Sequence, residues 1–175
     1  IQVNLQGPTP ITASFNNTNV TCYGLSDGGI TVSGSGGTPP YTYDFGSGFV
    51  NSSSINSLSA GNYSILVQDV NGCVGSTIAT VNEPMDIDAF IVVFDEVNGS
   101  DGVINITVSG GNPPYNFNWS GPQGYTSTNE DIGGLVGGTY ILGVTDAIGC
   151  TGSDTIVVNS SVAVSYTHLT LPTTY

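Results

Sequence analysis

The side chains able to do chemistry in this sequence are few and of two kinds, carboxylates and thiols. Asp27 and Asp69 recur as Asp101 and Asp146 at matching places in two similar stretches. Two carboxylates are the minimum equipment for glycoside hydrolysis. The same aspartates stand in Ser-Asp-Gly and Asp-x-x-Gly, however, which are turn sequences whose side chain accepts backbone N–H groups. The turn role is the reading adopted. A serine or cysteine nucleophile lacks a base, because the chain has 0 Lys and Arg and its 1 His, His168, lies in a C-terminal stretch set apart below. No cation is present to hold an oxyanion or a phosphate. The expectation is a protein that is not an enzyme.

Calcium binding is the other chemistry open to carboxylates, since Ca²⁺ takes carboxylate and carbonyl oxygens. The densest acidic stretch is Asp86-x-Asp88, with Glu83, Asp95 and Glu96 close by in sequence. These five are the candidate calcium ligands, and a solvated acidic patch is the competing reading. No other cofactor is expected.

The thiols are Cys22, Cys73 and Cys150. A bridge from Cys22 to Cys73 would close a 51-residue span and contribute about 4 kcal/mol in the chain-entropy model. Two buried thiols are the alternative, because spacing does not establish geometry. The second stretch has Glu96 near the position matching Cys22, which leaves Cys150 without a partner in its own repeat. The expectation is therefore a Cys22–Cys73 disulfide and an unpaired Cys150, free or bonded outside its repeat.

Charge narrows the partners. With 13 acidic residues, no Lys or Arg and a net charge of −13, the chain cannot make the cationic contacts that nucleic acid and anionic membranes require. Both are excluded as partners. Only 7% of residues are charged, so the surface is mainly neutral hydroxyl and amide, as in many secreted β-proteins, rather than the acid coat of a halophile.

The elements that must position these residues are written twice. "GGTPPYTYDF" from Gly36 returns 74 residues later as "GGNPPYNFNW" from Gly110, and "SDGGITV" from Ser26 returns as "SDGVINI" from Ser100 at the same spacing. After a three-residue insertion in "SGPQGY" the spacing becomes 77, and "LSAGNYSILVQDVNGC" answers "LVGGTYILGVTDAIGC". Paired prolines fix φ and lack N–H groups, so they interrupt one strand and aim the next. Tyr41, Tyr43 and Phe45 then alternate with polar residues, as do Tyr115, Phe117 and Trp119, which is the period of a strand with one buried face. Tyr63, Ile65 and Val67 alternate likewise, copied by Tyr140, Leu142 and Val144. The preceding "LSAG" matches a corner that delivers a tyrosine onto a sandwich strand with its hydroxyl bonded back to the backbone. Asn71-Gly72 reads as a tight hairpin turn with φ > 0 at both central residues. Helical periodicity is absent and the chain is all-β, with about seven short strands per copy.

The expected organisation is residues 1–8 as the end of a preceding truncated repeat, 9–84 as repeat 1, 85–161 as repeat 2 and 162–175 as a non-native tail. From Val164 the tail, "VSYTHLTLPT", resembles the translation of a transposon-based sequencing adapter and ignores the repeat. It is excluded from fold reasoning, and His168 with it.

The combined pattern of Cys, Asp-Gly, Gly-Gly-x-Pro-Pro-Tyr, Leu-x-x-Gly-x-Tyr and Asp-x-x-Gly-Cys resembles the SprB repeat. The first copy carries it through Cys22, Asp27, Gly28, Gly36, Gly37, Pro39, Pro40, Tyr41, Leu58, Gly61, Tyr63, Asp69, Gly72 and Cys73. The second carries it from Asp101 to Cys150, without the first cysteine and with Ala147-Ile148 in place of Val70-Asn71. The resemblance implies tandem Ig-like β-sandwich modules in large secreted adhesins on the cell surface of Bacteroidetes, including those moved during gliding motility. It supplies no ligand. Joined by "VNEPMD", in which Pro84 stiffens the junction, two such repeats are expected to act as semi-rigid extension modules whose partners are adjacent repeats of the same chain. The alternative is a glycan- or calcium-binding module, with Phe49 and Tyr125 as the loop aromatics available to stack on the sugars of a surface polysaccharide.

Overall fold

The computed structural model describes residue 7 and residues 9–161. The readings made for residues 1–6, 8 and 162–175, the preceding-repeat strand and the tail, lie outside the described residues. The chain divides into two compact units after Asp86, two residues past the Pro84 boundary read from sequence.

Seven strands build the first unit. They are β1 (Thr12–Thr18), β2 (Gly28–Ser35), β3 (Thr42–Asp44) and β4 (Phe49–Val50), then β5 (Ser54–Leu58), β6 (Gly61–Gln68) and β7 (Val74–Val81). Seven more build the second: β8 (Asp88–Phe94), β9 (Gly102–Ser109), β10 (Asn116–Ser120) and β11 (Thr126–Ser127), then β12 (Ile132–Leu135), β13 (Gly138–Thr145) and β14 (Thr151–Val158). In unit 1 a three-stranded sheet, β1-β2-β5, faces a four-stranded sheet, β4-β3-β6-β7. Unit 2 repeats this as β12-β9-β8 and β11-β10-β13-β14. All ladders are antiparallel. This is the Ig-like sandwich that the alternation of short strands implies.

Both sheets contribute to each core. In unit 1, Val20, Ile30, Val32 and Leu58 come from one side and Tyr43, Ile65, Val67, Ala79 and Val81 from the other. In unit 2, Ile104, Ile106, Ile132 and Leu135 meet Trp119, Tyr140, Leu142, Val144, Ile156 and Val158. The strand phase is the one the sequence indicates: all twelve predicted inward residues belong to the two cores or pack against them, with Tyr41, Phe45, Tyr63, Tyr115 and Phe117 half-buried. Trp119 is completely enclosed, and its indole N–H donates to the Asn129 carbonyl at 2.9 Å. The insertion in the second copy forms a 3₁₀ turn at Pro122–Gly124, from which Tyr125 packs edge-on against Tyr140 with ring centroids 5.5 Å apart.

The long strands β1, β2, β6 and β7 run most of the length of unit 1, as β8, β9, β13 and β14 do in unit 2. The chain reaches β1 at one end, called here the near end, beside the β6–β7 turn; it leaves after β7 at the opposite, far end. At the near end the Thr9 carbonyl accepts the Gly37 N–H at 2.9 Å. At the far end the Val20 N–H donates to the Asn82 carbonyl at 2.9 Å, and the Asn82 N–H to Asn19 Oδ1 at 3.0 Å. Thus β1 and β7 finish side by side and run in the same direction. In unit 2 the Glu96 N–H donates to Asn159 O and the Ser161 N–H to Glu96 O, a parallel bridge in the same place.

Candidate functional site

The motif residues converge on the near end of each unit. Gly36 and Gly37 turn the chain out of β2 with φ of +78° and +59°, values that glycine adopts at no steric cost. The two prolines follow, joined by a cis peptide bond, as are Pro113 and Pro114. Tyr41, the first aromatic after them, folds its hydroxyl back to donate to the Gly36 carbonyl at 2.6 Å, and Tyr115 does the same to Gly110 at 2.6 Å. Gly-Gly-x-Pro-Pro-Tyr is therefore a closed loop, locked by its own tyrosine.

Asp69 joins that loop to the β6–β7 turn. One carboxylate oxygen accepts the Thr38 N–H at 2.9 Å; the other accepts the N–H groups of Asn71 and Cys73, each at 2.9 Å. Asp146 repeats the pattern with Asn112 at 2.8 Å, Ile148 at 3.0 Å and Cys150 at 2.9 Å. Both side chains are buried and satisfied as charge-assisted acceptors. The Thr38 N–H is the main influence holding the Asp69 carboxyl below the ordinary aspartate range, against the upward push of burial. Burial is the largest influence on Asp146 and pushes it up. The N–H groups of Asn112, Cys150, Ile148 and Gly149 together outweigh it, so this carboxyl also lies low. The turn reading of Asp-x-x-Gly accounts for two of these donors. The third, from a loop 31 or 34 residues upstream, has no signal in the local sequence.

The turn itself departs from the tight hairpin expected of Asn71-Gly72. Gly72 has φ of +83°, whereas Asn71 is not among the positive-φ residues; the Gly72 N–H returns to Asp69 O and the Asp69 N–H pairs with Cys73 O. This is a wider turn with one left-handed glycine, a form that replaces the two-residue loop when a G1 bulge follows. It needs only the glycine, which is why Ala147-Ile148 can stand where Val70-Asn71 stood.

The second aspartate of each pair works at the far end. Asp27 accepts the Thr21 N–H at 3.0 Å and the Thr21 hydroxyl, and Asp101 accepts the N–H groups of Val97 at 2.7 Å and Asn98. Both carboxyls are drawn low by these bonds, led for Asp27 by the Thr21 hydroxyl and for Asp101 by the Val97 N–H. The eight-residue strands β6 and β13 put roughly 25 Å between the two ends of a unit at the usual rise per residue. Asp27 and Asp69 thus never form a carboxylate pair, nor do Asp101 and Asp146, since glycosidase carboxyls stand about 5–10 Å apart.

The same separation corrects the disulfide expectation. Cys22 lies in the far-end loop, which is tied down by Gly24 N–H donation to the Glu83 carboxylate at 2.8 Å. Cys73 closes the near-end turn. A disulfide requires Cα atoms within about 7 Å, so the two cannot meet. Cys73 is a free, exposed thiol. Cys22 and Cys150 are both disulfide-bonded, so Cys150 is not unpaired as the sequence reading had it. Glu96 is also displaced: its N–H pairs with Asn159 O as that of Val20 pairs with Asn82 O. It therefore occupies the place of Val20, and Asn98 that of Cys22.

The candidate calcium ligands are employed separately. Glu83 accepts from Gly24; Asp95 accepts the Asn159 N–H at 2.9 Å and its side-chain amide at 3.0 Å; Glu96 accepts from Ser100 at 2.9 Å and Gly137 at 2.7 Å. Asp86 and Asp88 are exposed. Among the described residues no group of three or more His, Cys, Asp or Glu side chains comes together to hold a metal ion. Of the two aromatics named for sugar stacking, Phe49 is exposed on β4 and Tyr125 is engaged with Tyr140. No helix among the described residues is long and apolar enough to cross a membrane.

Among solved structures the chain is similar to Ig-domain proteins. A three-domain titin fragment, an E-to-A mutated variant, aligns over 87% of this chain and 66% of its own at 14% identity and a TM-score of 0.44. A C-terminal 282-residue intimin fragment, solved with the intimin-binding domain of its translocated receptor, aligns over 88% and 64% at 16% identity and a TM-score of 0.42. The N-terminal eight Ig domains of a Down syndrome cell adhesion molecule align over 89% of this chain at 13% identity and a TM-score of 0.40, and the chain spans 25% of that structure. No curated protein matches the chain. The SprB repeat family matches at residues 14–45 and 97–124, stretches that run through the far-end aspartate loop and the glycine-proline loop of each unit. The SprB repeat family thus matches a stretch of each Ig-like unit, at equivalent places in the two.

Proposed function

We propose that this chain is part of the repeat region of a large secreted adhesin, displayed outside the cell, whose units act as load-bearing extension modules, in the gliding machinery of a Bacteroidetes bacterium. The observation that carries the reading is the path of the chain through each unit. It arrives at one end and leaves at the other, so every added repeat adds length. Tension between the two ends pulls β1 and β7 past each other in opposite senses. The far-end bonds, Val20 to Asn82 and Asn17 Nδ2 to Thr80 O at 2.6 Å, are then loaded together in shear rather than opened one at a time. The motif carboxylates serve as acceptors that fix loops at both ends, a non-catalytic use. Absence of Lys and Arg also leaves no site for trypsin-like proteases in an exposed stalk.

Exposed Phe49 favours the second reading, in which each unit binds a glycan. Glycan-array binding and thermal melting of the two-unit chain, each with and without millimolar calcium, separate the two. Extension modules show no array signal above background and the same Tm within about 1 °C. A saturable glycan signal, or a calcium-induced rise of several degrees, overturns the extension reading in favour of a binding module.

A further inference from the structure

The first strands of the two units hold the same place in the fold and differ in what they show to solvent. Ladder register aligns Ser14, Asn16 and Thr18 of β1 with Phe90, Val92 and Phe94 of β8. Unit 1 therefore folds with a polar outer stripe here, in which the Ser14 hydroxyl donates to the Ser33 carbonyl at 3.4 Å. In unit 2 the stripe is apolar, and its three members are exposed by 72%, 38% and 55%. Core packing does not account for them, because the alternate residues Ala89, Ile91 and Val93 are the ones packed on the core. β8 is also an edge strand of its sheet. Exposed edges are ordinarily guarded by charge or proline, and neither stands between Ala89 and Phe94.

The Phe-x-Val-x-Phe order of the stripe reads the same in both chain directions. That is the self-complementarity of a twofold contact, in which residue i meets j while j meets i. Charge favours the same occupant. Asp88 and Asp95 bound the stripe, and no ionisable residue lies within it or opposite it on β9, so two copies of this anionic chain can meet here without burying a carboxylate. We propose that the stripe docks on a second copy of the chain, β8 against β8 about a twofold axis at Val92, so that Phe90 of each copy packs on Phe94 of the other. Buried aromatic side chains cover about 150–250 Å² each, so the exposed fractions of the three residues offer roughly 300 Å² per copy and about 600 Å² in the pair. Stable complexes bury about 1,200–2,000 Å². The dimer is therefore a weak one that forms at high protein concentration. This contact is separate from the extension role and does not depend on it.

Sedimentation equilibrium of the two-unit chain, taken from about 10 μM to about 1 mM to suit an interface below standard size, tests it. The weight-average mass should rise with concentration towards twice the monomer and stop there. Association should strengthen with added salt, which screens the net charge of −13 on each copy. The triple variant Phe90→Ser, Val92→Asn, Phe94→Thr carries the stripe of unit 1, so it should fold as the parent does and weaken association at least about tenfold. In a Cys73→Ser background, oxidation should join Val92→Cys chains into disulfide dimers, while Ile141→Cys, no less exposed but on the other sheet, stays monomeric. A parent chain that is monomeric at every concentration, growth beyond the dimer, an unaffected triple variant or equal cross-linking at both positions overturns the proposal. Association that appears only after residues 162–175 are removed assigns the stripe to that segment and overturns it as well.

Discussion

Replacing Trp119 by alanine is expected to unfold the second unit selectively. The indole is completely enclosed between the two sheets, and truncating a buried aromatic costs about 3–5 kcal/mol. A unit of this size has a total stability at the low end of about 5–15 kcal/mol. The substitution also strands the Asn129 carbonyl, which the indole N–H satisfies. In reducing buffer, urea unfolding followed by far-ultraviolet circular dichroism should show one transition near its original midpoint, from unit 1, and a second shifted to much lower urea. Trp119→Phe keeps the six-membered ring but loses the rest of the indole and the hydrogen bond, so its shift should be clearly smaller than that of alanine yet above the roughly 1 kcal/mol of a lost hydrogen bond alone. Equal shifts for both variants would show that the bond, and not the packing, holds the unit together.

Gly37→Val should be nearly as damaging to unit 1. Its backbone sits at φ +59°, and a Cβ there would lie 2.7 Å from the Asp69 carboxylate and 2.9 Å from Ile11 Cγ1. A β-branched residue must therefore adopt a left-handed conformation, at about 1–2 kcal/mol, and push aside the carboxylate that ties three N–H groups together, with overpacking adding about 1–3 kcal/mol. Gly24→Ala is the control: its φ of +73° is close to that of Gly37 but nothing lies within 4 Å of the added Cβ, so only the backbone strain remains. Thermal unfolding should drop sharply for the first variant and by only a few degrees for the second. Similar losses in both would mean that the packing of the near-end loop against Asp69 and Ile11 contributes little to the stability of unit 1.

Repetition made much of this legible in the sequence. Two copies of an aromatic alternation fix which faces of β3, β6, β10 and β13 are buried, because a one-residue error would turn every Tyr, Phe and Trp outward. The tyrosine corner was legible for the same reason, and Tyr63 and Tyr140 donate to the carbonyls of Ser59 at 2.8 Å and Val136 at 3.0 Å. What escaped the sequence was which end of the sandwich each loop occupies. Cys22 and Cys73 both sit beside strand ends, but an odd or even number of strand crossings decides whether two such ends coincide. The third donor to Asp69 was hidden by the same 31-residue detour. Glu96 was misplaced because the repeat shortens by two residues between β8 and β9, and only the hydrogen bonds to Asn82 and Asn159 show where the gap falls.

The most direct test of load-bearing extension is to pull the two-unit chain from its ends, in reducing buffer so that no disulfide shields any segment, by single-molecule force spectroscopy. The account predicts two separate force peaks, each releasing about 25 nm of contour for a unit of roughly 75 residues. Both peaks should weaken when Asn17→Ala and Asp95→Ala remove the far-end bonds to Thr80 O and to Asn159 that tie the first strand of each unit to its last. Extension without resolvable peaks, or peaks indifferent to those substitutions, would contradict a fold whose end strands bear load in shear.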